Sequence, residues 1–150
     1  IGKTDNKNLQ SLIEDYSKRL SFYVKFDLEI IPDIKNVKNL SEAQQKEKEG
    51  ELILNKLTPT DQLILLDENG KTFSSVKFSE ELQKKMNSGI KTLVFVIGGP
   101  YGFSEAVYAK AQGKISLSAM TFSHQMVRLF FVEQIYRGFT ILRNEPYHHQ

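Results

Sequence analysis

Thr92-Leu93-Val94-Phe95-Val96-Ile97-Gly98-Gly99-Pro100-Tyr101-Gly102-Phe103-Ser104 is the stretch that decides the fold. Thr92 to Ile97 reads as an apolar strand without polar alternation, the pattern of a strand buried in a parallel sheet. The glycines that follow let the backbone turn sharply and approach a ligand closely. Ser104 then suits the cap of a short helix to Lys110. Ligands of open α/β sheets collect at the carboxyl ends of strands, where this loop lies. It is neither GxGxxG nor a phosphate loop, because no Lys-Ser/Thr pair follows the glycines. Taken alone, an ordinary tight turn between strand and helix explains it equally well.

The neighbouring segments repeat the alternation of strand and helix. Gln62 to Leu66 is a second short apolar run, and Asp67-Glu68-Asn69-Gly70 reads as the turn that ends it. A helix follows, starting between Ser75 and Ser79, running to Asn87 and stopped by Gly89. Further upstream, Asn6 or Asn8 caps a helix to Leu20 that carries Leu9, Leu12, Ile13, Tyr16 and Leu20 at helical spacing. Val24 to Ile31 alternates in part and reads as a strand stopped at Pro32. Residues 33–40 form a polar loop, and Ser41 with Gln44 makes a capping box for a helix ending before Pro59. Downstream, Lys114 to Ser118 is a brief strand. Ser123 caps a last long helix whose apolar face holds Val127, Phe130, Phe131, Ile135 and Phe139. The expected architecture is an α/β domain with a mainly parallel sheet.

Composition sets limits on function. At 150 residues with 40% hydrophobic and 25% charged side chains, the chain has the make-up of a soluble domain able to bury a core. No apolar run reaches the ~20 residues that span a bilayer, and no secretion signal is expected. The absence of cysteine excludes disulfides and thiolate metal sites and suits a reducing cytoplasm. The charge is nearly balanced, 20 Lys and Arg against 18 Asp and Glu, so bulk charge does not point to nucleic acid. From Phe103 onward, Lys110, Lys114, Arg128, Arg137 and Arg143 face only Glu105, Glu133 and Glu145. That third is mildly basic, and its arginines suit bidentate phosphate contacts, although a solvated helical face explains the charge as simply.

Other motifs are ambiguous by themselves. Leu117-Ser118-Ala119-Met120-Thr121-Phe122 fits neither strand nor helix period; it suits a loop around an adenine ring, or a buried loop packed in the core. His124, His148 and His149 lack metal-ligand spacing, so no metal is expected. Asp67 and Glu68 are adjacent on a strand end and make no acid–base dyad.

Taken in order, five segments are similar to one family: 65–71 (Leu-Leu-Asp-Glu-Asn-Gly-Lys), 96–104 (Val-Ile-Gly-Gly-Pro-Tyr-Gly-Phe-Ser), 116–128 (Ser-Leu-Ser-Ala-Met-Thr-Phe-Ser-His-Gln-Met-Val-Arg), 133–137 (Glu-Gln-Ile-Tyr-Arg) and 144–148 (Asn-Glu-Pro-Tyr-His). They resemble the large-subunit ribosomal RNA methyltransferase H family, within the SPOUT or α/β-knot superfamily. Any one of these motifs is weak, whereas their order and spacing across nearly the whole chain are specific.

The resemblance implies one α/β-knot domain over 1–150, with a mainly parallel sheet, helices on both faces and a C-terminal trefoil knot, against the usual rule that chains do not thread loops. It implies a bent S-adenosylmethionine held by Leu66, Gly98, Gly99, Leu117, Ser118, Ala119, Met120, Thr121 and Phe122. It further implies a cytoplasmic homodimer, joined through the last helix and the knot, that methylates N3 of a pseudouridine on the assembled ribosome. Arg137, Tyr147 and His148 are the expected groups at the target base: His148 to take the imide proton, Tyr147 to stack on or orient the base, Arg137 or Arg143 to hold phosphate. Two departures stand out. Of the family's apolar first strand only Ile1-Gly2-Lys3 is present, and His149 stands where the tail usually has Arg, so a tail cation there depends on protonation. A knotted methyltransferase of transfer RNA and a non-catalytic ribosome-binding module are the rival readings; activity on isolated tRNA would favour the first, failure to bind the cofactor the second.

Overall fold

A computed structural model of the chain describes residues 1–149. The described elements are α1 (Lys7–Leu20), a 3-10 turn (Val37–Asn39), α2 (Glu42–Leu54), β1 (Gln62–Thr72), α3 (Ser75–Asn87), β2 (Leu93–Ile97), α4 (Glu105–Lys110), β3 (Gly113–Ser116) and α5 (His124–Leu142). Side-chain caps set the helix starts. Asn6 accepts from the amides of Asn8 and Leu9, and Ser41 and Gln44 exchange both bonds of a capping box. Ser74, Ser104 and Ser123 each accept from the amide three residues ahead. Each such cap contributes about 1 kcal/mol.

The strands form a parallel sheet in the order β2-β1-β3. The period of two along each strand splits the core in two. Leu63, Leu65, Val94 and Val96 pack with Ile53, Phe103 and Val107 on the side of α2 and α4. Leu66, Leu93, Phe95 and Ile97 pack on the other side with Leu20, Phe78, Leu82, Phe131, Ile135 and Phe139 from α1, α3 and α5. Helices therefore cover both faces, as a parallel sheet requires. Phe131 of α5 anchors the second face, with ring centroids 4.9 Å from Phe95 and 6.0 Å from Phe78.

The structure departs from the sequence reading in four places. The segment 24–31 is not a strand. Extended backbone becomes one only when a partner ladder engages it, and here, among the described residues, its only backbone bond to a distant segment is at the Ile31 carbonyl, which accepts from Gly2 N at 2.8 Å. Leu28 and Ile30 on it are 45% and 48% exposed. The turn at Asp67–Gly70 does not end β1. Leu66 and Lys71 both pair with Ile115, so the four residues between them bulge out and the strand resumes. Asn69 N bonds back to Asp67 Oδ1 at 2.8 Å and closes the bulge. Strand β2 is half-buried throughout and lies at one edge of the described sheet. Strand β3 ends at Ser116, two residues earlier than expected, which leaves Leu117 and Ser118 in the loop.

Candidate functional site

Strand register builds the first part of the site. Leu66 pairs with Ile97 on one side and Ile115 on the other. Gly98 directly follows Ile97, and Leu117 lies two residues past Ile115. The β1 bulge that follows Leu66 and the loops that leave the carboxyl ends of β2 and β3 therefore emerge side by side, with strands ~5 Å apart. Leu66, Gly98, Gly99 and the start of the Leu117–Phe122 loop share one rim of the sheet, where ligands of α/β sheets collect.

Packing explains both glycines. A Cβ at Gly98 would come within 3.0–3.4 Å of the Phe103 ring, and one at Gly99 within 2.9 Å of the Glu49 carboxyl carbon. Gly102 closes the loop, with φ of +79° and its amide on the Gly99 carbonyl at 3.2 Å. In the third loop, Ser116 Oγ donates to the Ser118 carbonyl at 3.0 Å and Met120 N donates to Ser118 Oγ at 2.9 Å. Leu117 and Ser118 are half-buried, whereas Ala119, Thr121 and Phe122 are exposed and Met120 is 75% exposed.

The rim is not one enclosed pocket. A cavity of about 290 Å³ is lined by Phe73, Ser74, Ser75, Phe78, Ile115, Ser116, Leu117, Phe131 and Gln134. A second, of about 160 Å³, touches Gly99 and Pro100 together with Asp33, His124 and Arg128. Of the expected cofactor residues only Leu117 and Gly99 line these cavities, because the outer part of the third loop stands open to solvent. Among the described residues no group of three His, Cys, Asp or Glu is placed to hold a metal ion.

The second part of the site forms around α5 and the tail, and it brings Arg137, Tyr147 and His148 together. One carboxylate oxygen, Glu133 Oε1, accepts from Arg137 Nε at 3.0 Å, from Arg137 Nη2 at 2.5 Å and from the Tyr147 hydroxyl at 2.9 Å. The Arg137 guanidinium also lies 4.6 Å from the Tyr147 ring centroid and reaches His148 Nδ1 at 3.2 Å. An arginine only donates, so Nδ1 accepts and a neutral His148 ring carries its proton on Nε2. The Tyr147 proton is committed to Glu133, so the Tyr16 hydroxyl, 3.1 Å away, donates to Tyr147. Burial, then the bond donated to Glu133, push the Tyr147 hydroxyl well above the usual tyrosine range. The bond to Glu133 holds Arg137 still more firmly in its charged form. Arg143 lies elsewhere, its guanidinium 4.5 Å from the Tyr23 ring centroid, while the Tyr23 hydroxyl bonds to Glu145.

Three participants were missed in the sequence. Glu133 is the junction of the tail cluster, and its spacing of four from Arg137 on a helix was the available signal. Gln134 joins the two parts of the site: it accepts from Ser75 Oγ at 2.7 Å on the wall of the larger cavity and donates to Glu133 Oε2 at 2.9 Å. Glu49 lies in a polar helix, and nothing local marks it as the residue beneath Gly99.

Comparison with known proteins gives a consistent result. A family model described as predicted SPOUT methyltransferase matches residues 1–148. The chain is 88% identical to the ribosomal RNA large subunit methyltransferase H of Flavobacterium johnsoniae, over all of this chain and 96% of that protein. Proteins of the same name from Parabacteroides distasonis and Bacteroides thetaiotaomicron are 67% and 57% identical, with the same coverage.

Proposed function

The chain belongs to the SPOUT methyltransferase family, and from that premise we propose that it methylates N3 of a pseudouridine in large-subunit ribosomal RNA on the assembled ribosome. The methyl donor is S-adenosylmethionine. The observation that carries this reading is the meeting of the β1 bulge after Leu66 with the loops at Gly98–Gly99 and Leu117–Phe122 on one rim of the sheet. The rRNA target comes from the names of the relatives.

The rim fits the cofactor. Gly98 and Gly99 have no room for side chains on their packed faces, so bare backbone edges the rim. Leu66 and Leu117 supply apolar contact, and Ser118, Thr121 and the loop backbone supply polar groups, the mixture a nucleoside needs. When bound, the cofactor supplies a methyl group activated on a sulfonium. The protein's own task is to hold the base, keep water out and manage the imide proton.

Arg137, Tyr147 and His148 take that task. Tyr147 keeps its proton and orients the base by its ring and hydroxyl. Arg137 provides positive charge beside the imide as it becomes an anion. His148 accepts the imide proton once Nδ1 leaves Arg137, which couples base entry to a small movement of the tail. Glu133 positions all three. The protein acts as a cytoplasmic homodimer of single α/β-knot domains. Exposed Met120, Phe122 and Phe130 at the start of α5 support an interface there; Phe122 and Phe130 meet edge to face at 5.2 Å.

Calorimetric titration with S-adenosylmethionine and S-adenosylhomocysteine tests the rim, and a bulky substitution at Gly99 should weaken both. Transfer of labelled methyl to ribosomes, with isolated tRNA as the competing substrate, tests the target. A well-folded protein that binds neither molecule would leave only a ribosome-binding role. Efficient methylation of tRNA would move the target away from the ribosome.

A further inference from the structure

We propose that Glu49 is a charge-selecting residue of the cofactor rim, favouring a cationic sulfonium ligand over its neutral-sulfur product; the inference rests on the cofactor reading above. Glu49 is 3% exposed, the one acidic residue in the buried core among the described residues. Its Oε1 accepts from Gln45 Nε2 at 2.9 Å, while Oε2 accepts no hydrogen bond from any described residue. The carboxylate lies directly against Gly99, where the smallest side chain would collide with it.

The buried cation near Ile1, Arg128, is engaged elsewhere, and Ile1 N gives its hydrogen bond to the Ile97 carbonyl at 2.9 Å. Arg128 spends its donors on Thr4 Oγ1 at 2.7 Å and the Ile1 carbonyl at 2.5 Å. A carboxylate withdrawn from water without a close ion partner is costly to the fold. A cation arriving from outside would offset that cost. Gly99 is the residue between this carboxylate and the rim. Across a single residue of backbone, attraction does not require contact.

The chemistry of methyl transfer gives this charge a use. The donor carries a positive sulfur before transfer, and the spent molecule carries a neutral thioether. A fixed negative charge beneath the rim therefore holds the donor and loosens the product without any movement of the protein.

The test is calorimetry on the intact protein with three probes: S-adenosylmethionine, S-adenosylhomocysteine and the amine analogue sinefungin, in which a carbon replaces the sulfur and an ammonium replaces the transferred methyl. The wild-type protein should bind both cationic molecules more tightly than S-adenosylhomocysteine, by on the order of tenfold. Glu49→Gln keeps the shape and removes the charge, so that preference should vanish while affinity for S-adenosylhomocysteine is kept. Gly99→Ala displaces the carboxylate and should also reduce the preference. If Glu49→Gln weakens all three equally, the residue only props the loop, and the charge role is refuted while the cofactor reading stands. If the wild-type protein binds none of the three, the cofactor reading falls and takes the charge role with it. The wild-type ranking decides alone should Glu49→Gln fail to fold: no preference for cations overturns the proposal.

Discussion

Glu133 offers the sharpest test of how the tail is held, because one of its oxygens does most of the holding. Oε1 accepts three hydrogen bonds, two from Arg137 and one from Tyr147, while Oε2 accepts one from Gln134. Glu133→Gln can keep an oxygen at the junction but loses its charge. Charge-assisted bonds are about twice as strong as neutral ones, so the loss should be ~1 kcal/mol. Glu133→Ala removes every acceptor and leaves the Arg137 guanidinium, only 24% exposed, without its partner. That should cost about 3 kcal/mol, since a bond to a charged group contributes ~1.5–3 kcal/mol and the uncompensated charge adds to the loss. In a domain of this length each kcal/mol moves Tm by about 3 °C. The two variants should therefore unfold about 3 °C and about 9 °C below the wild type in a circular dichroism melt. Methyl transfer to ribosomes should fall in the same order with KM for the cofactor unchanged, because neither variant touches the rim loops. Equal melting temperatures for the two variants would refute the single-oxygen junction, as would an alanine variant that transfers methyl at the wild-type rate.

Three further outcomes follow from the geometry. The Tyr23 and Tyr108 hydroxyls are both pushed up to about 12, Tyr23 chiefly by its bond to Glu145 and Tyr108 chiefly by burial and then its bond to Asp67. Between pH ~10 and ~12 the native state holds protons that the unfolded chain has lost. The stabilisation is full below pH ~10 and drains away as pH rises to ~12; urea midpoints across that window should fall, and less steeply in the Tyr23→Phe, Tyr108→Phe double variant. Gly70→Ala would put a methyl 2.5–2.8 Å from the Ile115 backbone, and since a strand backbone cannot give way, urea titration should find a loss of about 3 kcal/mol or no fold. Gly89→Ala, at φ of +78° with open space around it, should lose only about 1 kcal/mol, and parity between the two would count against the packing of the β1 bulge. On the proposed homodimer, Phe130→Lys, on a side chain already 37% exposed, should shift sedimentation to the monomer, lower the melt by the lost association and abolish methyl transfer; an intact dimer would move the proposed interface off this face of α5.

What could be read from the sequence was whatever had its physical partner close by in the chain. Asn6, Ser41 with Gln44, Ser104 and Ser123 cap amides two or three residues away, so the helix starts followed directly from residue type. The apolar strands showed for the same reason. The failures all involve distant partners. Residues 24–31 have the composition of a strand, but a strand exists only with a neighbour, and composition says nothing of where one lies. The bulge at Asp67–Gly70 carries every local mark of a turn; only pairing with β3 and the bond from Tyr108, 41 residues away, keep it within β1. The candidate site divides along the same line. Arg137, Tyr147 and His148 entered through resemblance, and the structure gathers them, yet what gathers them is Glu133 together with Tyr16, 131 residues from Tyr147. Glu49 is the extreme case: in a helix of Glu, Gln and Lys it is indistinguishable from its solvated neighbours until the fold lays Gly99 upon it. The residues recognised by resemblance are those proposed to meet cofactor and RNA. Of the two carboxylates, Glu133 stands within a motif and one helical turn from Arg137, yet its bond to Tyr147 shows only in the fold, and Glu49 meets Gly99 through tertiary contact alone.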